Sequence, residues 1–209
     1  METLQANPFA EFEDRQEDSV PTATLQIYQF ISEYLERDKD TNVNRASAAT
    51  MCVRRRWYSH NGYEGTPLTP RKVVNFQLGD LSERVVLFYI KSALVGPGKL
   101  YSEVNFGDVI GSIHFQGKEL EIYKQKTFSF TMENGQRITA HVDGLGKRNS
   151  DGKWELIEIK SAADYGFDSF VDNGPGDYLK QAHASMMTDE CSALGIDQVR
   201  FFYLGDNGV

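Results

Sequence analysis

The stretch Ile138–Lys160, ITAHVDGLGKRNSDGKWELIEIK, constrains this chain more than any other. It reads as two neighbouring strands joined by GKRNSDGK, a link rich in turn formers whose Asp-Gly pair is a strong hairpin signal. Side chains alternate faces along a strand. Glu158 and Lys160 therefore point the same way, with Trp154 and Leu156 earlier on that side. Ile157 and Ile159 point the other way, into a core. An antiparallel hairpin here brings Asp143, at the end of the first strand, back beside Glu158. Two carboxylates and an ammonium then meet at the end of a sheet. Glu155 faces away with Ile157, which makes it the control position: Glu155→Ala is expected to leave function intact.

The remaining sequence says what surrounds this hairpin. A chain of 209 residues with 40% hydrophobic content can bury a sizeable core. An acidic flexible tail is expected over residues 1–22, followed by a single domain over 23–209. Within it, N-terminal helices occupy 23–95, and the sheet with its following helix occupies 100–205. No apolar run approaches the roughly 20 residues of a membrane span. The start METLQANPFAEFEDRQEDSV lacks the basic and then apolar order of a secretory signal. Two distant cysteines, Cys52 and Cys191, suggest reduced thiols, so the expectation is a cytoplasmic protein with no membrane partner. The net charge of −8 argues against a generic nucleic-acid coat, but it is uneven. Residues 1–20 hold six acidic residues against Arg15 alone, which leaves the rest at only −3. A local phosphate-binding surface is compatible with that distribution.

Taken in order, Thr22–Arg37 has apolar residues at helical spacing, and DKDTNVN after it is a loop. Ser47 is placed to cap a second helix, ATMCVRRRWY. Its Arg54, Arg55 and Arg56 fan around the helix, either as a solvated basic face or as phosphate contacts. SHNGYEGTPLTP is a loop. Leu81–Leu94 is helical in spacing and is stopped by Gly96-Pro97-Gly98, with Asp80 and Glu83 in a capping-box arrangement at its start. Strands follow, including an antiparallel meander over 119–131, 137–146 and 153–160, with Glu133-Asn134-Gly135 as a hairpin turn. Residues 161–176 are irregular, either a mobile loop over the site or a long connection. Asp177 is placed to cap a helix that runs to Leu194, with Tyr178, Gln181 and Ser185 on one face and Leu179, Ala182, Met186 and Leu194 in the core. QVRFFYL is a last strand. The sum is an α+β fold: a central mixed sheet with an antiparallel meander, flanked by helices.

Two carboxylates hold a hard divalent cation through oxygen ligands and leave positions for water and a phosphate oxygen. A lysine beside them can orient a water or offset charge in a phosphoryl transition state. On spacing alone, Glu-x-Lys reads more readily as a pair of exposed cross-strand charges, and Glu83 as a cap on its own helix.

The order of motifs adds to this. Gly79-x-x-x-Glu83 precedes Asp143-Gly144, then Glu158-Ile159-Lys160, then Tyr178-x-x-Gln181-Ala182. That order resembles the PD-(D/E)XK nuclease superfamily, in its RecB-like and phage-exonuclease branch, over residues 47–205. The stretch MCVRRRWY is also similar to the Cys-x-Arg-Arg segment that opens many RecB-like domains. The resemblance implies a restriction-endonuclease-like core and a Mg²⁺- or Mn²⁺-dependent deoxyribonuclease, more an exonuclease than an endonuclease, of phage-type recombination or repair. It implies that Asp143 and Glu158 bind metal with the Ile159 carbonyl, and that Glu83 is a further metal ligand. Lys160 would position or activate the attacking water, and Gln181 and Tyr178 would contact the DNA backbone or orient Lys160. It allows a homo-oligomer and a recombination partner protein.

The chain departs from the pattern at Ser185, where the family often has Tyr, and in its cysteines. Cys52 stands where an iron–sulfur ligand would, but the three late cysteines are missing. A cubane cluster takes four ligands, so none is expected here. The histidines are dispersed, though His141 shares a strand face with Asp143. No P-loop, Rossmann glycine pattern or Gly-x-Ser-x-Gly setting is present. The alternatives are a non-catalytic module that binds DNA or a protein, and an unrelated α/β protein with chance charges.

Overall fold

The structure, a computed structural model, describes residues 44–48, 50–63, 69–162 and 164–205. The acidic tail, the helix expected over Thr22–Arg37 and most of the loop after it lie outside the described residues. The described chain begins with β1 (Asn44–Arg45), a 3₁₀ turn (Ala46–Ala48), α1 (Val53–His60) and the long α2 (Pro70–Ala93). Strands β2 (Tyr101–Asn105), β3 (Asp108–Phe115), β4 (Lys118–Lys124) and β5 (Lys126–Thr131) follow, then β6 (Arg137–Val142), β7 (Gly144–Arg148) and β8 (Trp154–Ala162). Helices α3 (Asp164–Asn173), α4 (Asp177–Met186) and α5 (Asp189–Ala193) precede β9 (Val199–Gly205). The described residues form two compact units: residues 57–63 with 69–78, and residues 44–48 and 50–56 with those from 79 onward. In the first unit, Trp57, Tyr58 and Tyr63 gather in edge-on and stacked contacts. The second unit carries the sheets.

Two strands that look continuous in the sequence are each broken at one residue, and the breaks set the architecture. The run 119–131 divides at Gln125, and the run 137–146 divides at Asp143. Beyond each break the chain joins a different sheet. β5 and β6 pair antiparallel, with the short β1 parallel to β6. β3 and β4 form a separate two-stranded ribbon. The central sheet has the order β2-β7-β8-β9, antiparallel except for the parallel pair β8–β9. The fold is therefore α+β with a mixed central sheet flanked by helices, as expected. The meander is not one sheet but is shared among three, with β4 in the ribbon, β5 and β6 in the second sheet and β7 and β8 in the central one.

Both faces of β8 are buried, which explains its near-continuous apolar run. Leu156 packs with Phe128, Val142, Leu145, Ala182 and Cys191 on one face. Ile157 and Ile159 pack with Leu87, Ile90, Tyr101 and Phe106 on the other. The turn after β7 is the expected hairpin: Gly152 has φ 71°, a left-handed conformation that glycine adopts without cost.

Several local expectations are corrected. α2 begins at Pro70, a residue suited to the first helical position, with the Lys72 amide donating to Thr69 Oγ1 at 3.4 Å. Asp80 and Glu83 therefore lie in mid-helix, and no capping box forms. Ser47 lies within the 3₁₀ turn instead of capping a helix, because α1 starts only at Val53. Residues 164–173 are helical, not irregular. The helix expected from Asp177 to Leu194 is two helices, and Gly176, not Asp177, holds the N-cap position. Leu179 and Leu194 are exposed, while Ala182 is buried and Met186 packs against the core.

Glu155 does face away from Glu158, but into a buried ionic cluster. It is 1% exposed. Its carboxylate accepts from Tyr101 Oη at 2.7 Å, from Arg200 Nε at 2.5 Å and from Arg148 Nη1 at 3.4 Å. Burial pushes its pKa up, but Arg200, Tyr101 and Arg148 outweigh that and hold it below the usual carboxylate range. Truncation there would strand the buried Tyr101 and Arg148 together with the partly exposed Arg200, so Glu155→Ala is not a neutral control. Among the described residues, no helix is long and apolar enough to cross a membrane.

Candidate functional site

The site lies where β7 and β8 part company. Their ladder ends at the Gly144–Ile157 pair. Beyond it the β8 edge is open, and Asp143 turns onto that edge. Asp143 Oδ2 accepts the Ile159 amide N–H at 2.7 Å. In a strand, the N–H and C=O of one residue face the same edge. The Ile159 carbonyl therefore points to the side on which Asp143 sits. Gly144 is required by close packing, since a Cβ there would lie 2.5 Å from the Phe106 ring. The Asp-Gly pair thus places a carboxylate at the strand break and lets an aromatic ring pack directly beneath it.

Glu158 and Lys160 leave β8 on the face shared with Leu156 and form an ion pair of 2.5 Å. Lys160 Nζ also lies 5.5 Å from the centre of the Tyr178 ring, which α4 supplies. Gln181, one turn further along α4, donates to Thr50 Oγ1 at 3.3 Å. A cavity of about 160 Å³ joins these groups, lined by Asp143, Glu158, Lys160, Gln181 and Ser185. Glu83 reaches the cluster from α2. One side-chain amide, Gln125 Nε2, donates both to Glu83 Oε1 at 3.1 Å and to Asp143 Oδ1 at 2.9 Å.

The electrostatics are those of crowded carboxylates with too little positive charge. Asp143 is 7% exposed. Burial, then Glu158 and Glu83, push its pKa up to about 8, against the pull of Lys160 and the Ile159 amide. Burial also raises the Glu83 pKa, with Asp80 and Glu158 adding to it and Gln125 opposing. Burial pulls the Lys160 ammonium down, but Glu158 and Asp143 outweigh it, so its pKa is raised. Lys160 is thus a cation in this structure, able to donate and to stabilise negative charge but not to take up a proton.

The donor set suits a hard cation. It consists of oxygens only: two carboxylates, a main-chain carbonyl and a third carboxylate behind Gln125. A divalent ion would relieve the repulsion that raises the Asp143 pKa. Among the described residues, no group of three or more His, Cys, Asp or Glu side chains is gathered to hold a metal by itself. The arrangement instead offers Asp143 and Glu158 with the Ile159 carbonyl. His141 lies on the cavity wall with Nδ1 3.1 Å from Thr127 Oγ1. Burial and then Arg45 push its pKa down.

The structure brings together Glu83, Asp143, Glu158, Ile159, Lys160, Tyr178 and Gln181. Of the three arginines of α1, Arg54 and Arg55 are exposed and Arg56 is half-buried. None of the three lines the cavity, whereas Arg45, on β1, does. Sequence reasoning missed Arg45 and Gln125. Gln125 was reachable by counting back from the Glu133-Asn134-Gly135 turn. The β5–β6 ladder ends at the Lys126–Val142 pair, and one step further sets Gln125 opposite Asp143.

The chain matches no protein-family model and no curated protein. It is similar to a solved structure described as the crystal structure of SSO0001, at 17% identity and a TM-score of 0.47. The likeness covers 90% of this chain and 74% of that one.

Proposed function

We propose that the chain is a Mg²⁺- or Mn²⁺-dependent deoxyribonuclease that hydrolyses phosphodiester bonds, an exonuclease of phage-type recombination, repair or DNA processing. One observation carries the reading. Asp143, Glu158, Lys160 and the Ile159 carbonyl converge at the open edge of β8, with Glu83 arriving from the preceding helix and Gln181 from the following one. That is the chain order of the motifs that resemble PD-(D/E)XK nucleases. A divalent cation held by Asp143, Glu158 and the Ile159 carbonyl would polarise the phosphoryl group and lower the pKa of a bound water. Lys160, as an ammonium, orients that water and stabilises charge developing on the phosphoryl oxygens. Gln181 and Tyr178 line the approach, and Tyr178 keeps Lys160 in place. Arg54, Arg55 and Arg56 are offered to the DNA backbone, and Arg45 to the phosphate nearest the cavity. The proposed setting is the cytoplasm of a bacterium or of a phage-infected host.

The test incubates the protein with linear and covalently closed circular DNA, with either metal or with chelator. Metal-dependent loss of linear DNA alone is expected, and nicking of circles would make the enzyme an endonuclease. If neither substrate is degraded and Glu158→Ala changes nothing, the proposal fails.

A second reading, a non-catalytic module that binds DNA or a protein, draws on one observation. Gln125 satisfies Glu83 and Asp143, and Lys160 pairs with Glu158, so the cluster is hydrogen-bonded without a cation. DNA binding in chelator with no cleavage in Mn²⁺ would favour it.

A further inference from the structure

We infer that Gln125 is the positioning residue that sets the metal affinity of this site, an inference that rests on the metal-dependent reading above. The two strand breaks face one another by register, not by chance surface contact. β5 and β6 pair from Thr131–Arg137 to Lys126–Val142, and both strands leave the ladder at the next step, at Gln125 and Asp143. Backbone pairing therefore fixes where the Gln125 side chain starts. An amide NH₂ has two hydrogens to give, and here one nitrogen serves two carboxylates. Its acceptors are Asp143 Oδ1 at 2.9 Å and Glu83 Oε1 at 3.1 Å.

These bonds hold acids from two distant elements in one orientation. Glu83 comes from mid-α2, and among the described residues its carboxylate has no other hydrogen-bond partner. Asp143 is gripped from both sides, by Gln125 on Oδ1 and by the Ile159 amide on Oδ2. Each carboxylate oxygen keeps a lone pair for a cation. Gln125 also stands between two cavities, the site cavity and one of about 230 Å³ lined by Asp80, Glu83, Arg84 and Tyr123. It is the wall on which Glu83 and Asp143 meet. Residues that hydrogen-bond metal-binding carboxylates set ligand orientation, and their loss costs about 10–100-fold in metal affinity.

The test titrates wild-type protein and Gln125→Leu with Mg²⁺, and separately with Mn²⁺, in the absence of DNA. Metal-induced thermal stabilisation and calorimetric binding are the readouts. The leucine variant is expected to need about 10–100-fold more metal for half-saturation. Cleavage should follow the same shift, with kcat at saturating metal within a few fold of wild type. Circular dichroism and the metal-free melting curve check folding. Gln125→Met, unbranched and of matching length, serves if the leucine variant does not fold. An unchanged metal affinity overturns the inference, as does a loss of cleavage that saturating metal does not restore. A wild-type protein with no metal response overturns the nuclease reading along with it, whereas a wild-type response that both variants share overturns only the role of Gln125.

Discussion

Asp143 and Ile159 are joined by a hydrogen bond of 2.7 Å from the main-chain amide of one to the side chain of the other. The bond continues by side chain what the β7–β8 ladder stops doing at Gly144 and Ile157. Asp143→Asn keeps the shape and an oxygen to accept this N–H, gives up the oxygen that accepts from Gln125 Nε2, and removes a carboxyl that burial and its neighbours disfavour as a charge. The two changes oppose one another, so the variant is expected to fold and, in chelator at pH 8, to melt close to wild type. It should lose metal-induced stabilisation and cleavage. Thermal melts with and without Mn²⁺ check both.

The pH dependence of stability follows from the same group. Its pKa is pushed from 3.8 to about 8 on folding, so the folded state holds the proton more tightly than the unfolded state. The stability this provides is fully present below about pH 4 and is lost as pH rises towards 8. Glu83 acts in the same direction. In chelator, wild type should therefore lose melting temperature relative to Asp143→Asn across that window. Added Mg²⁺ should recover the loss at the alkaline end. A difference that stays flat with pH would contradict the assignment.

Glu155 should matter for folding. Glu155→Ala leaves Arg148, Arg200 and Tyr101 without their shared acceptor, and breaking a buried pair in this way costs about 3–5 kcal/mol. Denaturant melts measure it. The better control on the same hairpin is Lys153→Ala. Its ion pair with Asp197 is exposed, and such pairs contribute about 0–1 kcal/mol. Cleavage should be unchanged in that variant.

Lys160→Met separates binding from chemistry. The ammonium is no metal ligand, so metal-induced stabilisation should survive its removal. Cleavage should fall by about 10²–10³-fold, the usual cost of losing one electrostatic stabiliser. Equal loss of both would show that Lys160 maintains the site instead of acting in the reaction.

Arg54→Ala and Arg55→Ala test the exposed face of α1. If these side chains meet phosphates, each substitution should weaken DNA affinity and reduce the salt slope by about 1. A solvated face predicts no change in slope.

The strand pattern and the Asp-Gly turn made the site hairpin readable before any coordinates, because period-two alternation and turn chemistry are local properties. Glu158 and Lys160 were readable for the same reason, and Gln181 from the helical spacing it shares with Tyr178 and Ser185. What stayed hidden depends on where strands part. Gln125 sits inside an unbroken β pattern, and although Asp143 is expected at a strand end, only pairing partners far along the chain decide that the sheets divide at these two residues. The capping-box reading of Glu83 failed because a helix start signal at Thr69-Pro70 outranked a weaker one at Asp80. Glu155 reads as a silent control because the arginines that pair with it lie 7 residues before and 45 after.

Crystals of the protein soaked in Mn²⁺ and measured at the manganese absorption edge give the most direct test of the metal-dependent reading. The prediction is an anomalous peak bounded by the Asp143 and Glu158 carboxylates and the Ile159 carbonyl, absent in Glu158→Ala. An ordered site with no peak there, under conditions in which the same protein is saturated with Mn²⁺ in solution, would contradict it.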